Sequence, residues 1–115
     1  MVQSKSELFL ATYFADSDVG LGDYTYNRRL AGEGHPYRLR PNFSWETDSG
    51  ELILWEHLGM LDREDYQKGW EKKRAWYAAN GYVEDENLFT SSEGPGLDMS
   101  LVAAVASRVR KALNR

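Results

Sequence analysis

The sequence predicts an α/β fold, with one mixed four-stranded sheet flanked by helices. Three observations carry that expectation. Helical periodicity marks both ends of the chain, in "SKSELFLATYFADS" and "LVAAVASRVRKAL"; three strand-like runs follow one another between residues 24 and 59; and a long helical segment from Asp62 separates the third run from a fourth. A helix between two strands of one sheet is a crossover, and the right-handed form lays the fourth strand parallel to the third. The expected order is helix, a meander of three strands, helix, strand, helix.

In the first helix, Leu8, Ala11, Thr12 and Phe14 to Ala15 recur near helical spacing, and Ser4 stands three residues before Glu7 as in a capping box. "DYTYNRRLA" alternates loosely, so residues 24 to 31 read as a strand entering a hairpin through the turn cluster "AGEGHP". "YRLRPNFSW" is the returning strand, with Pro41 at an edge, a bulge or a strand end because it lacks a ladder donor. "TDSG" makes a tight turn into "ELILWEHLG", the most apolar strand and therefore the central one. The long helix takes Asp62 as its cap and stops at "NG". "NLFTSSEG" is the fourth strand, and Asp98 or Ser100 opens the last helix.

At 115 residues the chain suits a single domain over 1–115. Its 42% hydrophobic and 28% charged residues, with 4 Trp, 7 Tyr and 4 Phe, are the composition of a globular protein. No apolar run suits a membrane span and the N-terminus lacks a signal-peptide run, so a cytoplasmic location is expected. The absence of cysteine removes disulfides and thiolate zinc sites, and two histidines, His35 and His57, make a histidine zinc site improbable. A metal, if used, would be a hard cation on oxygen ligands. The net charge of −4 argues on average against nonspecific nucleic-acid binding. Local basic groups remain at Arg28 and Arg29, Arg38 and Arg40, Lys72 to Arg74, and Arg108 to Lys111.

Four short motifs occur in order on these elements: "SKSE" on the first helix, "RPNF" on the second strand, "WEHLGM" on the third and "WEKKRAWYAANGY" on the next helix. With the order of elements, they resemble the restriction-endonuclease-like, PD-(D/E)XK nuclease superfamily, in a phage and bacterial branch related to nuclease domains attached to superfamily 1 helicases. The resemblance runs from about residue 4 to about residue 110. It implies an α-β-β-β-α-β-α core and a DNA endonuclease that uses Mg2+ or Mn2+. It also implies association with a helicase or a larger DNA-processing system. In that branch the second motif reads Pro-Asp-Phe, whereas this chain carries Asn42.

Phosphodiester hydrolysis needs a cation to activate water and to neutralise charge on the phosphate oxygens. On the resemblance, Glu56 and position 42 would hold it with the backbone carbonyl of His57, and Glu7 matches a first-helix acid that serves the metal or the lysine. The usual lysine two residues after the acid is Leu58 here. Lys73 on the following helix is then the matching base, sharing one helical face with Tyr66 and Trp70 at i, i+4 and i+7. The His57 ring is an alternative proton donor. Arg38, Arg40 and Lys72 are the expected DNA contacts, and a homodimer is expected because two strands are most simply cut by two sites about a twofold axis.

Each residue also has a structural reading. Glu7 can close the capping box, Glu56 can pair with a helix lysine, and Lys72 to Arg74 can be a solvated helix face. The Trp and Tyr stripe is expected in the core rather than as a base-stacking platform. Asn42 keeps the shape of aspartate but removes its charge, so turnover is expected to collapse. A naturally degenerate enzyme, an engineered inactive one, or a site relying on Glu7 and Glu56 all fit. The competing functions are a catalytically inactive nuclease-like DNA- or protein-binding module and an interaction domain without a nucleic-acid role.

Overall fold

A computed structural model describes residues 5–30, 40–59, 62–93 and 96–114. The elements are α1 (Lys5–Ala15), β1 (Thr25–Tyr26), β2 (Phe43–Glu46), β3 (Leu52–Leu58), α2 (Glu64–Ala79), β4 (Leu88–Ser92) and α3 (Met99–Leu113). The four strands form one sheet in the order β1-β2-β3-β4. β1, β2 and β3 pair antiparallel, and β4 runs parallel to β3. No described helix is long and apolar enough to cross a membrane.

β3 is interior, and its alternate side chains divide the protein into two cores. Ile53 and Trp55 join Leu10 and Phe14 of α1 and Val102, Val105 and Val109 of α3. Leu54, on the opposite face, joins Trp76 and Tyr77 of α2 with Leu88. The Phe14 ring centre lies 4.9 Å from Trp55, 5.0 Å from Phe43 and 5.3 Å from Trp45, all edge-on. Such packing joins large apolar burial to favourable ring electrostatics. α1 is thereby fixed over the sheet, which in turn fixes Glu7.

Several boundaries differ from the sequence expectation. The first strand shrinks to two residues because Asn27 adopts a left-handed φ of 55° and ends the extended run. Among the described residues the returning strand starts at Phe43, after Pro41, whose ring offers no ladder donor. Asp62 does not cap α2. Arg63 holds the capping position without a side-chain cap bond, and Glu64 and Asp65 put negative charge in the first turn, where the helix dipole favours it. α2 stops at Asn80 and Gly81, the glycine taking a φ of 89° that a side chain would oppose. For α3 the cap is Asp98, whose Oδ1 accepts from the Ser100 amide at 2.9 Å. The proposed Ser4 cap and the "AGEGHP" turn lie outside the described residues.

Candidate active site

The register of the sheet builds the site. Phe43 pairs with Trp55, so Asn42, one residue earlier, lies across from Glu56, one residue later. The Asn42 amide donates to Glu56 Oε1 at 3.0 Å, and Asn42 Oδ1 accepts from the His57 amide at 2.6 Å. One asparagine therefore closes the strand pair from both directions. Its Nδ2 faces Glu7 Oε1 at 3.5 Å, and the same Glu7 oxygen accepts from the Tyr26 hydroxyl at 2.7 Å.

α2 completes the site from the other side. Lys73 Nζ lies 2.7 Å from Glu56 Oε2 and donates also to the Arg40 carbonyl at 3.2 Å. One turn on, the Tyr77 hydroxyl donates to Glu56 Oε1 at 3.3 Å. Glu56 is only 4% exposed, and burial pushes its carboxyl above the usual range. Lys73, the Asn42 amide and the Tyr77 hydroxyl oppose that rise by favouring the anion. Burial also raises the Tyr77 phenol, and the Glu56 charge raises it further, so Tyr77 stays a hydrogen-bond donor. Burying a carboxylate in a protein interior is costly, and this one is retained with three donors around it.

Glu7, Asn42, Glu56 and Lys73 thus converge from α1, the approach to β2, β3 and α2. The His57 ring does not join them. Strand alternation turns it to the α1 and α3 side, where Nδ1 meets Ser91 Oγ at 2.8 Å and Nε2 meets Glu93 Oε1 at 3.4 Å. Ser91 Oγ also accepts from Trp55 Nε1 at 2.8 Å, and Ser6 Oγ donates to Glu93 at 2.8 Å. These bonds tie the ends of β3 and β4 to α1. The His57 ring, the alternative proton donor, thus lies on the opposite face of the sheet from the Glu56 carboxylate.

Arg40 and Lys72 are exposed, and Arg38 lies outside the described residues. Sequence reasoning missed Tyr26, Tyr77, Ser6, Ser91 and Glu93. Tyr77 was within reach of it, lying four residues beyond Lys73 on the stripe already drawn through Tyr66 and Trp70. The chain matches no family model, no curated protein and no solved structure.

Proposed function

We propose that this chain is a nuclease domain of the restriction-endonuclease-like, PD-(D/E)XK type, shaped for metal-dependent hydrolysis of DNA phosphodiesters and disabled by Asn42. The observation that carries the reading is the run of contacts from Glu7 to Asn42, from Asn42 to Glu56 and from Glu56 to Lys73, which links four segments of the chain. The α-β-β-β-α-β-α order and the parallel β3–β4 pair suit that superfamily's core.

The residues present fit Mg2+ or Mn2+ poorly. Among the described residues no three His, Asp or Glu side chains group to hold a cation. The amide at position 42 turns its oxygen to the His57 peptide and its NH2 to Glu7. An aspartate there would add the missing hard oxygen ligand. Lys73 supplies a fixed positive charge at the mouth, suited to a phosphate oxygen, and Tyr77 and the Asn42 amide hold Glu56 in one orientation.

The test is Asn42→Asp, assayed on supercoiled plasmid and branched DNA with Mn2+ and with Mg2+. Cleavage should appear or rise sharply, and adding Glu56→Gln or Lys73→Met should abolish it. A folded Asn42→Asp protein that cuts none of these substrates would sink the reading.

One observation favours a second reading, a nuclease-like fold kept as a DNA- or protein-binding module. Glu56 already has three internal donors and Lys73 a carboxylate, so the site is satisfied without a cation. Salt-sensitive, metal-independent DNA binding beside an inert Asn42→Asp variant selects this reading.

A further inference from the structure

Next to the Glu56–Lys73 pair lies a cavity of about 220 Å3, lined by Glu56, Leu58, Tyr66, Gly69, Trp70 and Lys73. Positions 66, 69, 70 and 73 recur at helical spacing, so one face of α2 forms the wall. The aromatics of that helix divide by burial. Trp76 and Tyr77 are buried in the core, whereas Tyr66 and Trp70 are half-buried and line the cavity, Trp70 with one side packed on that core near the Tyr77 ring.

Gly69 is the second observation. Glycine inside a helix costs about 1 kcal/mol relative to alanine. A Cβ at Gly69 would meet no atom within 4 Å, so no close packing explains the glycine. Its missing side chain leaves open space beside the two rings. The third observation is charge. The Lys73 ammonium lines the same cavity and touches the Arg40 carbonyl, and the Arg40 and Lys72 side chains are exposed.

We infer that this cavity receives one unstacked nucleobase of a single-stranded nucleic acid, laid against Trp70 and Tyr66 with the adjoining phosphate turned to Lys73 and Arg40. The inference deepens the nuclease reading and rests on it for the class of ligand. Aromatic side chains accept any base by its π-face, so the cavity requires no particular sequence. Its volume is below the range of about 300–1,000 Å3 usual for drug-sized ligands and suits a single ring system. Bases of an intact duplex are stacked and would have to be extruded at a cost before entering. The site should therefore prefer single strands, frayed ends or branch points. A base seated beside Lys73 also brings its phosphate toward the end of the sheet where Asn42 stands between Glu56 and Glu7.

The experiment measures fluorescence anisotropy of a labelled single strand with the full chain at low salt. Unlabelled duplex of the same sequence and free deoxyadenosine monophosphate serve as competitors. Single strand should bind more tightly than duplex, and the mononucleotide should compete only at much higher concentration. Gly69→Leu and Trp70→Leu should each weaken single-strand binding on the order of tenfold. Gly69→Ala should raise the melting temperature while weakening binding, a combination that a purely structural role for the glycine does not give.

Equal binding of single strand and duplex, or a Gly69→Leu variant that binds single strand like its parent, overturns the inference. Competition by the free mononucleotide at strand concentrations overturns the single-strand assignment in favour of a nucleotide site. The two readings fail separately. Cleavage by Asn42→Asp with no Gly69→Leu effect removes the cavity's role and leaves the nuclease, whereas an inert Asn42→Asp with binding lost in Gly69→Leu does the reverse.

Discussion

Lys73 Nζ stands 2.7 Å from Glu56 Oε2, joining the middle of α2 to the interior strand of the sheet. The carboxylate is almost fully enclosed, while the lysine side chain keeps 27% of its surface in contact with solvent. The pair is thus asymmetric. Lys73 can rehydrate when its partner is lost, and Glu56 cannot.

Lys73→Met should destabilise the protein by about 2 kcal/mol near neutral pH, below the roughly 3–5 kcal/mol of a fully buried pair because the lysine is partly solvated. The loss should shrink on acidification, as the stranded Glu56 takes up a proton. Urea denaturation of both proteins at several pH values checks this. An equal loss at all pH values would show that Glu56 does not titrate with the fold.

Glu56→Gln removes the raised carboxyl. Because the folded group titrates above its ordinary value of 4.5, the native state holds that proton more tightly than the unfolded chain does. The stability it contributes is complete below about 4.5 and is lost as pH rises through the folded value. The melting temperature of the glutamine variant, relative to its parent, should therefore climb from acid to neutral pH. The Lys73 pair forms only with ionised Glu56, so its contribution is already contained in that net rise and leaves the sign unchanged.

Asn42→Asp should lower the melting temperature in chelator, since a new carboxylate would replace an NH2 lying 3.5 Å from Glu7 and stand beside Glu56. Mn2+ should reverse the loss in this variant and leave the parent nearly unmoved. Thermal scans with and without the ion decide it. Identical curves for the variant in the two conditions would mean that position 42 does not face a cation site.

Phe14→Ala should cost about 3–5 kcal/mol, the range for emptying a large buried aromatic site. Near-UV circular dichroism should weaken with it, because Phe14 packs on both Trp45 and Trp55. Unchanged stability would contradict the placement of α1 over the sheet.

Much of this arrangement was legible in local pattern. The apolar run of β3 marked it as interior and the intervening helix implied a parallel β4, whereas Lys73 came from the family resemblance, its spacing to Tyr66 and Trp70 only allowing the geometry. The structure brings Glu7, Asn42, Glu56 and Lys73 together from those elements. What local pattern missed depends on single residues or distant registers. Asn27 ends β1 by one backbone angle, which loose alternation in "DYTYNRRLA" does not reveal. Ser91 meets His57 only because β4 pairs in one parallel register, and Glu93 reaches Ser6 across 87 residues of chain. Arg63 displaced Asp62 at the α2 cap although Asp is the better capping residue, so tertiary placement outweighed intrinsic preference.

The turn between β2 and β3 carries more than its small size suggests. The Gly50 amide donates to the Thr47 carbonyl at 2.9 Å and the Thr47 amide to the Glu51 carbonyl at 2.8 Å, with Gly50 at a φ of 88°. Those bonds count out the residues that separate the two strands, and a strand shifted by one position turns every side chain to the opposite face. Deleting one residue from β3 upstream of Glu56 would carry the carboxylate through the sheet into the aromatic core and leave Lys73 facing a different side chain. Over this stretch, tolerance to insertion and deletion should be far lower than tolerance to substitution. A site built of four side chains is indexed by the length of a loop that contributes none of them.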